Sequence, residues 1–180
     1  MTLAQALKRS RAPERIRKSL AIVTVRYISF DGKRHQGQIV VGKDLAREVA
    51  AIFRDLEKAR FPIKKVVPVV RYGWSDDRSM ANNNTSGFNY RNKPWERGLS
   101  RHAYGAAIDI NPMQNPYVRG GKRLPPGSKR NPRARGTILE GPVVRAFIRR
   151  GWRWGGHFRG ARDWQHFDKP AVRRTSARAA

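Results

Sequence analysis

Apolar and polar residues alternate through residues 20–30, with Ile22, Val23, Val25, Tyr27 and Ile28 carrying the apolar positions. Asp31-Gly32 interrupts the pattern, and Gln38-Ile39-Val40-Val41 resumes it. A period of two, broken by a Gly-containing pair, predicts a β-hairpin. The period then lengthens. Leu45, Val49, Ile52, Phe53 and Leu56 fall at helical spacing, with Asp44 placed to cap the helix and Phe61-Pro62 to end it. Residues 66–72 form an apolar run that predicts a buried strand. Residues 73–87 are rich in Gly, Ser, Asp and Asn and predict a loop, long enough to suggest a role beyond connection. Short strands are predicted at 88–91 and 106–110, with His102 at a loop end and Gly105 permitting a close turn between them. Residues 111–135 hold five of the eleven prolines and predict a long loop. Residues 142–150 predict a helix with Val143, Val144, Phe147 and Ile148 inward, and 152–158 and 164–167 predict two more strands. The expected fold is α+β, a small antiparallel sheet with helices packed on one side.

A chain of 180 residues fits one domain with a real core. The expected organisation is a basic arm or short helix at 1–18, a single domain at 19–170 and a frayed basic tail at 171–180. The apolar runs are far too short to span a bilayer. Basic residues from Lys8 to Lys18 precede a segment interrupted by Thr24 and Arg26, a pattern unlike a secretory signal. No cysteine is present, which excludes disulfides and thiolate-bound zinc. The formal net charge of +26 would draw the protein to polyanions: nucleic acid, teichoic acid, lipopolysaccharide or anionic lipid headgroups.

Two segments change that picture. Ser100-Arg101-His102-Ala103-Tyr104-Gly105-Ala106-Ala107-Ile108-Asp109 and Asp163-Trp164-Gln165-His166-Phe167 together hold two histidines and two aspartates. Two imidazoles and one carboxylate make a three-ligand site for a catalytic zinc, one per chain, with a fourth position left to water. Asp109 lies between Ile108 and Ile110. A strand would turn those two into the core and Asp109 to the other face, where a carboxylate is costly unless paired or metal-bound. Asp163, three residues before His166, is then free to act as a general base. His157 stands near enough to His166 in sequence to be mistaken for a ligand. It reads as a cleft-edge or surface residue, and His35 as a solvated one.

The spacing Ser-x-His-x-x-Gly-x-Ala-x-Asp, followed far downstream by Asp-x-x-His-Phe, resembles the zinc peptidases of the D-alanyl-D-alanine carboxypeptidase family. That family includes cell-wall carboxypeptidases and the L-alanyl-D-glutamate endopeptidases of phage endolysins. Phe61-Pro62-Ile63, the segments at 76–86, 88–91 and 111–117, and Gly151-Trp152-Arg153-Trp154-Gly155-Gly156 extend the resemblance over roughly residues 19–170. It implies a Hedgehog/D-Ala-D-Ala peptidase-like fold, His102, Asp109 and His166 as zinc ligands, and Asp163 as the base. The family often has glutamate before its second histidine, and aspartate is shorter. The resemblance also implies that Arg91 grips a substrate carboxylate through a bidentate fork, with Arg71 and Arg78 as rivals. Asn84 and Ser86 would hydrogen-bond the substrate backbone, and Ser100 would support His102. Tyr104, Trp152 and Trp154 read as core or cleft wall.

The expected function is hydrolysis of a peptidoglycan bond involving a D-amino acid, by an endolysin-type L-alanyl-D-glutamate endopeptidase. A D-alanyl-D-alanine carboxypeptidase is the alternative. A polyanion-binding protein with a structural or inactive metal site is the reading from another class. The expected partners are the stem peptide and, through the basic surface, anionic wall polymers or lipopolysaccharide. Neither an obligatory nucleic acid nor an oligomer is expected. Synthesis in the cytoplasm and release through a phage holin would fit the lytic reading.

Overall fold

The computed structural model describes residues 1–171. The predicted basic tail lies outside the described residues but for Ala171. The fold is α+β, with small open sheets and helices packed against them.

The first 18 residues fold onto the domain instead of forming a loose arm. Two short helices, α1 (Leu3–Ala6) and α2 (Glu14–Lys18), and the link between them bury Ala6, Ile16 and, from the link, Ala12 against Leu20, Val40 and Phe88. Thr2 and Gln5 close α1 with a reciprocal capping box, which satisfies two otherwise orphaned N–H groups. The hairpin follows as predicted: β1 (Leu20–Ile28) pairs antiparallel with β2 (Arg34–Gly42), from Leu20↔Gly42 to Ile28↔Arg34. Its two-residue period serves both faces. Val25, Tyr27, Ile39 and Val41 enter the main core, while Leu20 and Val40 meet the N-terminal helices.

α3 (Ala46–Lys58) lies on the hairpin with Val49, Ile52, Phe53 and Leu56 fully buried. Each such side chain contributes about 1.5–3 kcal/mol by leaving water. Asp44 does not cap this helix. It sits within a 3₁₀ turn at Lys43–Leu45, and Leu45 occupies the cap position without a side-chain bond.

The predicted strand at 66–72 is cut short because Pro68 lacks the N–H a ladder needs. Only β3 (Lys65–Val66) is extended in a ladder, and a 3₁₀ turn follows at Val69–Tyr72. The predicted loop at 73–87 contains α4 (Asp76–Ala81), capped by Ser75 Oγ, which accepts from Arg78 N at 3.2 Å. It also contains β4 (Asn84–Thr85), which pairs parallel with β3. The predicted strand at 88–91 does not form, and Phe88 N donates to Val40 O at 2.7 Å.

The remaining elements surround the cleft. They are β5 (Ala107–Asp109), β6 (Tyr117–Arg119), β7 (Lys122–Leu124), α5 (Pro142–Ile148), β8 (Arg153–Trp154), β9 (Arg162–Asp163) and β10 (His166–Asp168). The predicted loop at 111–135 thus carries a hairpin, β6–β7. Two three-stranded sheets result, ordered β5-β10-β8 and β7-β6-β9. Under the first, Phe167 stacks on Phe147 with centroids 3.9 Å apart, beside Trp152 and Ile108. Ile148 is exposed, contrary to its expected inward place, since the helix ends there.

Candidate metal centre and cleft

Register brings the ligands together. In the β5-β10 ladder His166 faces Asp109 directly, and the next pair, Phe167↔Ile108, points the opposite way into the core. One face of two short strands is therefore polar and the other apolar. β5 is locked from its far side by Ser86, whose N–H and C=O exchange bonds with Asp109 at 3.0 and 2.9 Å. His102 arrives on a 3₁₀ turn (Arg101–Tyr104) that Ser100 caps, its Oγ accepting from His102 N at 3.3 Å. Gly105 ends the turn at φ 64°, and a Cβ there would stand 2.5 Å from Gly42 N, so no other residue fits.

The ligating atoms close a small triangle. His102 Nε2 lies 3.0 Å from Asp109 Oδ2, His166 Nδ1 lies 2.9 Å from Asp109 Oδ1, and the two imidazole nitrogens are 3.2 Å apart. Ligands about 2.0–2.1 Å from a tetrahedral zinc stand about 3.3 Å from one another, so these donors fit such an ion with a shift of a few tenths of an ångström. His102 Nδ1 donates to Gly87 O at 2.6 Å, which leaves Nε2 its lone pair for a metal. Among the described residues, this is the one cluster of its kind within ligating range of a common centre.

Electrostatics agree. Burial alone would raise the Asp109 carboxyl, yet the adjacent imidazoles of His102 and His166 hold it well below the usual carboxylate range. Burial opposes charge on His166, but the Asp109 carboxylate, with Asp163 and Asp168 further off, lifts it to about 9. A divalent cation held here would compete with that proton.

Asp163 sits on β9, paired with Tyr117 of β6, and lines the same cleft. Burial pushes its carboxyl up to about 7; Asp109 adds to the rise, while His166, Arg91 and Gln165 oppose it. Its Oδ1 is enclosed and has no hydrogen-bond partner. An enclosed carboxylate oxygen without a partner, in the cleft that Asp109 and His166 also line, is free to take up a proton.

The other predicted residues separate. Arg91 faces the cleft; its Nε is 3.0 Å from Asp76 Oδ2, an ion pair without hydrogen-bond alignment, and its Nη2 is 3.9 Å from Asp109 Oδ2. Arg71 and Arg78 do not line that cleft. Asn84 is fully buried, its amide engaged with Val67 and Ser79, so it is a fastener between segments and has no free group for a substrate. Ser86 acts through its backbone, as the lock on β5. His157 pairs with Glu140 at the surface, apart from the triangle. His35 pairs with Asp31 at 2.8 Å and stacks on Tyr27. Sequence reasoning missed Asp76, which anchors Arg91 while accepting from Asn89 Nδ2 at 3.1 Å. It also missed Gln165 and the cations Lys93, Arg101, Arg153 and Arg159, which line a cleft of about 610 Å³. Among 39 Lys and Arg, no spacing marks these few from the rest.

Residues 95–169, which hold all three ligands and Asp163, match the family model described as D-alanyl-D-alanine carboxypeptidase. Comparison with curated proteins and with solved structures gave no match. Over those residues the chain is similar to zinc peptidases of this type, His102, Asp109 and His166 form a triad able to hold a metal, and the two together make it a metal-dependent enzyme. Fold, site and family match together support a peptidoglycan-peptidase role. No helix among the described residues is long and apolar enough to cross a membrane.

Proposed function

We propose that the chain cuts stem peptides of peptidoglycan at a bond involving a D-amino acid, as an endolysin-type L-alanyl-D-glutamate endopeptidase. The observation that carries this is the Asp163 carboxyl, one oxygen of it enclosed and unpartnered, in the same cation-rimmed cleft as Asp109 and His166 of the triangle. Such a rim suits an acidic peptide, and stem peptides carry carboxylates along their length.

His102, Asp109 and His166 would hold the zinc, which supplies a Lewis acid for the scissile carbonyl and an acidified water. Asp163 takes a proton from the attacking water as the C–O bond forms. It returns that proton to the leaving nitrogen as the C–N bond breaks. Arg91, steadied by Asp76, holds a substrate carboxylate. Gly87 O and Ser100 keep His102 in place and tautomer. An enzyme of this kind would reach the wall from the cytoplasm through a holin-made opening.

The second reading is a D-alanyl-D-alanine carboxypeptidase, favoured by the description of the matching family. Here Arg91 would hold the terminal carboxylate. A polyanion-binding protein with a closed structural site is disfavoured, since such sites take four protein ligands and the triangle offers three beside an open cleft. Mass spectrometry of fragments released from purified peptidoglycan tests the proposal. New N-terminal D-Glu, abolished by chelator and restored by zinc, is expected. Free D-Ala as the sole product would move the assignment to the carboxypeptidase, and no chelator-sensitive product would overturn both.

A further inference from the structure

A second groove, of about 740 Å³, lies beside the catalytic cleft and takes no part in the chemistry above. The stretch joining α1 to α2 supplies Lys8, Arg9 and Arg11, and Trp74 and Tyr90 supply aromatic walls. It is continuous with the cleft along the chain: Tyr90 precedes Arg91 and Ser75 precedes Asp76, and each pair divides between groove and cleft.

Three observations mark this groove as a built feature. Arg9 and Trp74 both hold left-handed backbone, at φ 60° and 66°. That conformation is strained for a bulky L-residue, and such strain concentrates where a site requires it. The indole Nε1 of Trp74 donates to Lys8 O at 3.0 Å, tying the two walls together. Lys8, Arg9 and Arg11 gather at one groove, and none of them pairs with a carboxylate among the described residues.

We infer that this groove binds a phosphate-bearing glycan of the cell wall and so seats the enzyme beside its peptide substrate; the inference rests on the peptidase reading. Uncommitted cations over aromatic walls match a ligand that alternates anionic groups with rings having an apolar face. A single-stranded nucleic acid has similar chemistry. Continuity with a peptide-cutting cleft favours a polymer that carries peptides beside it.

The test compares two charge-reversed proteins, Lys8→Glu/Arg11→Glu in the groove and Arg47→Glu/Lys58→Glu on the exposed side of α3. Pelleting is measured with purified wall and with wall stripped of its phosphate polymers, alongside hydrolysis of a short soluble stem peptide. The groove pair should lose about ten-fold or more in affinity for intact wall and the α3 pair less than about three-fold, with peptide hydrolysis unchanged in both. Trp74→Phe, which keeps an aromatic wall but loses the bond to Lys8, should lose several-fold. Equal losses in the two pairs, no loss in the groove pair, or equal wild-type binding to stripped and intact wall would overturn the groove. So would stronger displacement by single-stranded DNA than by a phosphorylated oligosaccharide of equal charge. A wild-type protein that cleaves no peptide yet shows the expected binding pattern would instead overturn the peptidase reading.

Discussion

The three metal ligands and Asp163 meet at one cleft but are held in opposite ways. Asp109 and His166 stand on a sheet backed by Phe167, Phe147 and Trp152, His102 stands on a capped turn beside it, and each donor atom is engaged. Asp163 stands on the outer sheet β7-β6-β9, half-buried, with one oxygen enclosed and unpartnered. The first arrangement suits holding, since fully satisfied polar groups are rigid. The second suits acting, since an unsatisfied carboxylate retains capacity for a proton. Position in the fold thus separates the triad from the proposed base more clearly than residue type, for both contain aspartate.

The comparison can be broken from either side. Replacing a holder should have the largest effect: His102→Ala or His166→Ala should abolish peptide hydrolysis and leave circular dichroism near wild type. Retained activity would show that the triangle is not the site. Replacing the actor comes next. Asp163→Asn should lower kcat by about 10²–10⁴-fold with the fold unchanged; a wild-type rate would place the base elsewhere. Smaller still is the loosening of Arg91. Asp76→Asn should raise KM about ten-fold or less with kcat largely kept, because it weakens the tether of a binding group. A fall in kcat alone would assign the pair to the chemistry.

The smallest effect is on stability and has a definite sign. In chelator-treated protein, Asp163 is raised to about 7 in the fold, so the fold favours its neutral form. Its contribution is therefore present at low pH and lost as pH rises from about 4 through 7. His166, lifted to about 9, contributes fully below about 6.5 and loses its contribution as pH rises through 9. The melting temperature should fall over both windows. Asp163→Asn should flatten the lower one and move the upper only slightly, because Asp109 does more than Asp163 to raise His166. An unchanged slope between pH 4 and 7 would mean that Asp163 does not titrate in the buried site.

Much of this was legible in the sequence. The two-residue period of β1 and β2 and the helical spacing of Val49, Ile52, Phe53 and Leu56 mark elements long enough for periodicity to speak. The ligands were legible because histidine is rare here: four in 180 residues, two of them framed by aspartates. What escaped has a common cause. α4 has six residues, β4 two, and the strands of the outer sheet two or three, so their pairing depends on partners distant in the chain. Asn84 reads as polar and available, yet its burial between Val67 and Ser79 is decided by tertiary packing. The N-terminal 18 residues read as a basic arm because Ala6, Ala12 and Ile16 are sparse among charges; only the apolar face offered by Leu20, Val40 and Phe88 gives them a seat.

The division between holders and actor rests most directly on metal content. Zinc per chain should be measured by elemental analysis after dialysis, in wild type, His102→Ala, Asp109→Ala, His166→Ala and Asp163→Asn. One zinc is expected in wild type and in Asp163→Asn, and little or none in the other three. Loss of zinc from Asp163→Asn, or full occupancy in any of the three triangle variants, would contradict it.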